Sequence, residues 1–167
     1  MPDTVEVAEA TEDDVAAISD FIREAWRQAG PGAAGFAGAT DDVIAEISAP
    51  EAITARIGGP ERRMFLAQSA GSVVGFAASR RLTSETVELA GIVVLQSMVG
   101  RGIGRPLAEA AVESARANGF KRITVSTETD NARALGFYHA LGFTPTAVTE
   151  ADAEGVEVEV QNLELAL

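Results

Sequence analysis

The residues best suited to chemistry form a glycine-rich segment in the middle of the 167-residue chain. Gly100, Gly102 and Gly104 follow an apolar run, residues 89–95, that predicts a strand, and they precede a stretch that predicts a helix. Closely spaced glycines let the backbone turn tightly and bring its N–H groups against a ligand, and the N-terminus of a following helix adds partial positive charge. The segment therefore predicts a binding site for an anion such as a pyrophosphate.

The spacing of these glycines disfavours two common nucleotide-binding motifs. A Walker loop requires Gly-x-x-x-x-Gly-Lys-Ser/Thr, whereas the single lysine of the chain, Lys121, stands far from the glycines. A dinucleotide-binding fingerprint requires Gly-x-Gly-x-x-Gly with an acidic residue further on, and the chain lacks both at the required distances. For the glycines alone, an ordinary tight turn that binds nothing stays open.

A second segment with chemically useful residues runs from Asn131 to Phe143 and reads Asn-Ala-Arg-Ala-Leu-Gly-Phe-Tyr-His-Ala-Leu-Gly-Phe. It resembles the Asn-x-x-Ala-x-x-x-Tyr-x-x-x-Gly-Phe segment of the Gcn5-related N-acetyltransferase (GNAT) superfamily, and a predicted strand, residues 123–126, precedes it. Residues 99–104 are similar to the family's Gln/Arg-x-x-Gly-x-Gly/Ala signature, with Val99 in place of the polar first residue. The resemblance covers about residues 62–145, with the two motifs in the family's order and separation.

The resemblance implies acetyl-CoA as co-substrate and no metal. In the family the strand before the loop pairs with the pantetheine arm, and the glycine loop holds the pyrophosphate through backbone N–H groups, which any residue supplies. The cofactor-binding residues implied in this way are Ile92, Val93, Val94, Val99, Gly100, Arg101, Gly102, Ile103, Gly104, Arg105, Asn131 and Tyr138.

Tyr138, the only tyrosine of the chain, is the first of two catalytic residues that the resemblance implies. Its phenol would point at the CoA sulfur and act as general acid toward the departing thiolate. The plain alternative is a half-buried helix tyrosine whose hydroxyl is hydrogen-bonded, and the position of Tyr138 in the motif favours the catalytic role. Asn131 has the side chain of a helix N-cap and can fill that role while also contacting CoA. His139 is expected on the solvent side of the helix and receives no catalytic role.

Glu88 is the second catalytic candidate, as the base that deprotonates the acceptor. It aligns with the strand glutamate that histone-acetylating relatives use for this purpose, whereas an exposed strand glutamate is the plain alternative. Glu128 and Asp130, at the end of the neighbouring predicted strand, are rival bases. The two-residue alternation of a strand predicts Glu88 on the same face as Ala90, Ile92 and Val94.

The net charge of −12 makes this an acidic protein and argues against nucleic acid as a partner, because phosphate neutralisation requires clustered Lys and Arg. An acidic surface instead attracts cationic amines. Since CoA is itself a polyanion, its site requires a local exception to this charge. Arg101 and Arg105, beside the glycines, are the residues of the motif that supply it.

The composition also limits the chemistry and the location of the protein. The absence of cysteine excludes disulfides, thiolate metal sites and a cysteine nucleophile, and a single histidine disfavours a histidine-based metal site. No leader pattern stands at the N-terminus, and the longest apolar run is too short to cross a bilayer. We therefore expect a cytoplasmic protein without a membrane partner.

The predicted elements match the family's order. Strands are expected at residues 5–8, 63–69, 73–79, 85–95, 123–126, 147–149 and 156–165. Helices are expected after Thr11, Thr40, Pro50, Gly104 and Asn131, and residues 30–39 are expected to form a loop. The resemblance implies an α+β, sandwich-like GNAT fold with a central mixed, mostly antiparallel seven-stranded sheet flanked by about four to five helices. Residues 1–167 are expected to form a single N-acetyltransferase domain.

The sequence thus predicts an acetyl-CoA-dependent N-acetyltransferase that acts on a primary amine by direct transfer in a ternary complex. Two other classes stay open: a CoA-binding regulatory or sensor module without turnover, and an interaction protein without cofactor. Nothing between Trp26 and Arg62 matches a known specificity motif, so peptide N-termini, polyamines, amino acids and drugs all remain as acceptors. A homodimer is also left open.

Overall fold

The computed structural model describes residues 4–29, 40–153 and 156–167. Within these ranges the strands are β1 (Val5–Glu9), β2 (Arg62–Ser69), β3 (Ser72–Arg81), β4 (Thr86–Val94), β5 (Arg122–Glu128), β6 (Thr144–Ala153) and β7 (Val156–Ala166). The helices are α1 (Val15–Ala29), α2 (Asp41–Ile47), α3 (Pro50–Thr54), α4 (Gly104–Ala117) and α5 (Ala132–Ala140). None of these helices is long and apolar enough to span a bilayer. The loop predicted at residues 30–39 lies outside the described residues.

Local sequence signals produce several of these boundaries. The backbone N–H of Thr11 donates to Asp14 Oδ2 at 2.8 Å, in the capping box that precedes α1. Thr40 Oγ1 accepts from the N–H of Val43 at 3.3 Å and caps α2. Ala70 and Gly71 both have positive φ, 51° and 79°, which is the turn geometry that closes a tight hairpin between β2 and β3.

The seven strands form one sheet in the order β1-β2-β3-β4-β5-β7-β6. Neighbouring strands are antiparallel except β4 and β5, which are parallel because α4 connects them as a crossover. The predicted mixed, mostly antiparallel sheet with flanking helices is confirmed.

Each face of the sheet is buried by a different set of helices. On one face α4 and α5 cover a core that includes Leu107, Ile123 and Phe143. On the other face α1, α2 and α3 cover a second core that includes Ile18 and Ile53. Burial of an apolar side chain of this size stabilises the fold by roughly 1.5–3 kcal/mol, so both layers are firmly attached to the sheet.

Strand β4 contains a bulge. Ala78 of β3 pairs with Gly91, but the next residue of β3, Ser79, pairs with Leu89, so the register passes over Ala90. A bulge adds one residue to one strand of a pair and reverses the alternation of its side chains from that point on.

The bulge corrects the predicted orientation of Glu88. Leu89 and, beyond the bulge, Ile92 and Val94 all pack into the core beneath α4 and α5. Val93 packs into the opposite core, beneath α1. Glu88 therefore lies on the face of Val93, and the predicted placement with Ile92 and Val94 is wrong because strict alternation does not hold across the extra residue.

The parallel pairing of β4 with β5 is short. It joins Thr86 to Arg122, Val87 to Ile123 and Glu88 to Thr124, and no further residues pair. Both strands continue, β4 to Val94 and β5 to Glu128. The second half of β4 thus keeps β3 along one edge and leaves the edge toward β5 without a partner strand.

Candidate active site

A cleft of about 540 Å³ is lined by the end of β4, the glycine loop and α5, a volume typical of small-molecule sites. Eleven of the twelve residues predicted to bind cofactor line it: Ile92, Val93, Val94, Val99, Gly100, Gly102, Ile103, Gly104, Arg105, Asn131 and Tyr138. The twelfth, Arg101, does not. The tertiary structure therefore brings the two sequence motifs to one site.

Several lining residues were not predicted: Ala29, Gln96, Met98, Arg133, Ala134, Phe137, Ala140 and Leu141. Helical spacing from Tyr138 would have found Ala134 and Leu141, because residues three and four apart share a face of a helix. Ala29 belongs to α1, and no local pattern relates it to this cleft.

The glycine loop has the backbone geometry expected of an anion site. Gly100 and Gly102 have φ of +84° and +76°, in the left-handed region that favours glycine, and a Cβ on either would meet no protein atom within 4 Å. The N-cap of α4, Ile103, offers no side chain to the first N–H groups of the helix. These N–H groups, together with the positive end of the helix dipole, are suited to a phosphate.

The charge of the cleft differs from that of the protein. Its lining side chains include two guanidinium groups, of Arg105 and Arg133, and no carboxylate. Arg105 Nε donates to Glu109 Oε1 at 2.9 Å, and both side chains are more than half exposed. Such exposed pairs contribute little stability, so a phosphate can replace the carboxylate at low cost.

Tyr138 lies at the inner wall of the cleft, only 8% exposed. Edge-to-face contacts with Phe137 and Phe143, at centroid distances of 5.1 and 5.7 Å, fix its ring. Among the described residues the Tyr138 hydroxyl has no hydrogen-bond partner, and it is not fully enclosed by protein. It is therefore accessible at a residue that lines the cleft. Burial raises the pKa of this phenol, which keeps it protonated at neutral pH.

Asn131 is the N-cap of α5, as its side chain suggested. Its Oδ1 accepts from the N–H of Ala134 at 3.1 Å, and the residue also lines the cleft. The cap leaves the amide nitrogen of Asn131 available at the cleft, because the structure gives it no partner among the described residues.

Glu88 lies outside the cleft lining. Its carboxylate oxygens accept from Arg80 Nη2 on β3 at 3.2 and 3.3 Å, and its side chain is 29% exposed. The rival bases Glu128 and Asp130 are exposed and also lie outside the lining, and His139 is exposed on α5. The residues that the structure describes contain no group of three or more His, Cys, Asp or Glu placed to hold a metal ion.

The sheet is mixed and seven-stranded, it parts between two parallel strands, and the glycine loop leads into the helix that connects them. This is the fold of solved GNAT acetyltransferases. The chain belongs to the acetyltransferase (GNAT) family, whose pattern it matches over residues 17–143.

Relatives and solved structures agree with this assignment. The chain is 47% identical over 49 residues to a mycothiol acetyltransferase of Beutenbergia cavernae, a match that covers 29% of this chain and 16% of that relative. Its fold is similar to PaiA N-acetyltransferase of Thermoplasma acidophilum in complex with coenzyme A, with a TM-score of 0.72, 17% identity and coverage of 98% and 99% of the two chains. It is also similar to YncA of Salmonella typhimurium with acetyl-CoA, with a TM-score of 0.65, 23% identity and coverage of 97% and 93%. At these identities the two structures establish the fold alone.

Proposed function

We propose that this acetyltransferase uses acetyl-CoA and transfers the acetyl group to a primary amine by direct attack within a ternary complex. The observation that carries the proposal is one cleft shared by the glycine loop, the uncapped N-terminus of α4 and the free hydroxyl of Tyr138. An anion-binding end and a proton donor in one cleft fit a substrate that has a pyrophosphate and a thioester.

The residues available for holding acetyl-CoA divide into two groups. The backbone of Ile92–Val94 has an open edge toward β5, where the amides of a pantetheine arm can pair as an added strand would. The Arg101 N–H donates to Met98 O at 3.4 Å, whereas those of Gly100, Gly102, Ile103 and Gly104 are available to the pyrophosphate. Arg105 and Arg133 add positive charge. Bound acetyl-CoA supplies an activated acetyl thioester.

The residues of the chain would then stabilise the negative charge of the reaction intermediate and transfer the protons of the amine and the thiol. A backbone N–H near Val94 is available to the thioester carbonyl, where hydrogen bonding stabilises the negative charge that develops on oxygen. Tyr138 donates its proton, or a strong hydrogen bond, to the departing sulfur, and the remaining excess proton of the acetylated nitrogen restores the phenol. Glu88, which pairs with Arg80 outside the cleft lining, or a chain of water molecules takes the proton of the incoming ammonium group. No acyl-enzyme is required, because the amine attacks the thioester itself.

The acceptor amine is the open part of the proposal. The match to mycothiol acetyltransferase covers a small part of that relative. It therefore supports acetyl transfer. The acceptor of that relative's reaction belongs in a panel of candidate acceptors, beside peptide N-termini, polyamines, amino acids and amine drugs. The acidity of the protein favours acceptors that carry positive charge.

The test is calorimetry with acetyl-CoA, followed by a thiol-release assay over this acceptor panel. Binding together with acceptor-dependent thiol release supports the proposal. Binding without turnover on any amine would identify a CoA-binding sensor instead, and failure to bind either CoA or acetyl-CoA would reduce the chain to an interaction protein.

A further inference from the structure

Gln28, near the end of α1, contacts the segment that leads into the glycine loop. Its Oε1 accepts a hydrogen bond from the backbone N–H of Ser97 at 3.1 Å. Ser97 lies in the 3₁₀ turn Gln96–Met98 that follows β4, and the backbone hydrogen bonds of this turn come from the N–H groups of Met98 and Val99. Gln28 thus supplies the acceptor that the turn does not provide for Ser97.

The orientation of the Gln28 amide is determined by a neighbour on the same helix. Its Nε2 donates to Glu24 Oε1 at 2.9 Å, and Arg27 Nε donates to the other carboxylate oxygen, Glu24 Oε2, at 2.8 Å. These hydrogen bonds, first from Arg27 and then from Gln28, lower the pKa of Glu24 to about 2. At neutral pH the carboxylate is ionised and accepts from both side chains. Because Nε2 must face Glu24, Oε1 is left facing Ser97.

The contact joins two parts of the site that are distant in sequence. Gln96 and Met98, on either side of Ser97, line the cleft, and so does Ala29, the residue after Gln28. The next residue of the loop, Val99, occupies the polar first position of the family signature and has no hydrogen-bonding side chain. An amide from α1 therefore holds the entry to the glycine loop two residues before Val99, whose side chain cannot form a hydrogen bond.

We infer that Gln28 is a positioning residue for acetyl-CoA: through Ser97 it holds the 3₁₀ turn so that the following N–H groups face the pyrophosphate. The inference rests on the proposed function, since it concerns the same cofactor. It also links α1, which carries Ala29 at the cleft, to the cofactor loop.

The test compares Gln28→Leu with Gln161→Leu. The side-chain amide of each glutamine forms a hydrogen bond with the backbone. Gln28 accepts from the N–H of Ser97 beside the cleft, whereas Gln161 donates to the carbonyl oxygens of Ala147 and Asn162 on β6 and β7, away from the cleft lining. Loss of one such contact corresponds to about a 2- to 10-fold change. We expect Gln28→Leu to raise the Kd and KM for acetyl-CoA by about that factor, with kcat within about twofold, while Gln161→Leu leaves acetyl-CoA binding unchanged.

Exchanging the carboxylate and the amide between positions 24 and 28 provides a test in which acetyl-CoA binding should be restored. In Gln28→Glu the new carboxylate faces Glu24 and no longer supplies a donor to it, and the Arg27 guanidinium already donates to both Glu24 oxygens. We therefore expect repulsion at position 28 and weaker acetyl-CoA binding. In the double variant Glu24→Gln, Gln28→Glu the amide at position 24 donates to the carboxylate at position 28, whose second oxygen still accepts from Ser97, and binding should return to within about twofold of wild type. Faster hydrogen exchange of the Ser97 amide should accompany each weakened variant.

Thermal unfolding first shows that wild type, Gln28→Leu and Gln28→Glu are folded. If the three folded proteins then bind acetyl-CoA with equal affinity, the inference is overturned and the proposed function stays intact. A double variant as weak as Gln28→Glu would also overturn it. Failure of the wild-type protein to bind acetyl-CoA would instead refute the proposed function.

Discussion

Glu88 of β4 and Thr124 of β5 are the last residues to pair between the two parallel strands. Beyond them the sheet is interrupted, and the bulge at Ala90 follows immediately on β4. The residues of β4 that line the cleft, Ile92–Val94, all come after this point. The cleft therefore lies where β4 has lost a strand partner and its backbone can pair with a ligand.

The glycine loop can be tested with two glycines of matched conformation. Gly102 and Gly119 both have positive φ, +76° and +81°, and an added Cβ meets no atom within 4 Å at either position. Alanine therefore imposes similar backbone strain at both. We expect Gly102→Ala to lose acetyl-CoA affinity by at least about tenfold, or about 1.4 kcal/mol by calorimetry, because the strained backbone misaligns the N–H groups. Gly119→Ala, beyond the other end of α4, should retain affinity; equal losses would contradict the prediction.

Tyr138→Phe removes the hydroxyl and keeps the ring contacts with Phe137 and Phe143. We expect turnover to fall by about 10- to 1,000-fold with nearly unchanged acetyl-CoA affinity, because the phenol assists only the departing thiolate. Single-turnover kinetics separates this chemical step from binding. Unchanged turnover, with chemistry rate-limiting, would assign Tyr138 to the core alone.

The pH dependence of Tyr138 has a definite sign. Burial raises the pKa of the Tyr138 phenol above its usual value of about 10. The phenol is therefore protonated, and able to donate, at pH values well below that pKa, and it loses its proton only as the pH rises through the raised pKa. Wild-type activity should therefore show no alkaline decline from this group below pH 10 or so. A decline near pH 8 that disappears in Tyr138→Phe would contradict this prediction.

Glu88→Gln tests the base, with Glu128→Gln as its control. The substitution preserves shape and leaves an amide oxygen for Arg80, but it removes basicity. We expect lower turnover and a shifted acidic limb of the pH–rate profile for Glu88→Gln alone. Wild-type rates and pH dependence in both variants would mean that the acceptor loses its proton to water or arrives neutral.

The sequence motif predicts that Arg101 contacts the cofactor, whereas the structure places Arg133 at the cleft, so substitutions of these two arginines compare the two predictions. Arg133 lines the cleft and Arg101 does not. We expect Arg133→Gln to weaken acetyl-CoA binding by about fivefold at low salt, with the difference from wild type shrinking at high salt as screening increases. Arg101→Gln should have a smaller effect in the same titrations. The reverse order would mean that the loop moves its arginine to the cofactor on binding.

The sequence was sufficient for the elements and for the two motifs. Caps such as Thr11 and Thr40 and the glycine loop act over a few residues, so their hydrogen bonds and dihedral preferences can be read from neighbours in the chain. The position of Asn131 relative to Tyr138 is likewise a matter of helical spacing, and both line the cleft. The class of chemistry follows from such local patterns.

The tertiary structure decided which side chains meet. The bulge at Ala90 is a property of the pairing between β3 and β4, and it moved Glu88 to the face opposite the one that alternation predicts. The contact of Gln28 with Ser97 joins residues 69 positions apart. Local periodicity carries no information about register or about contacts between distant segments, because both are determined by how whole strands and helices pack.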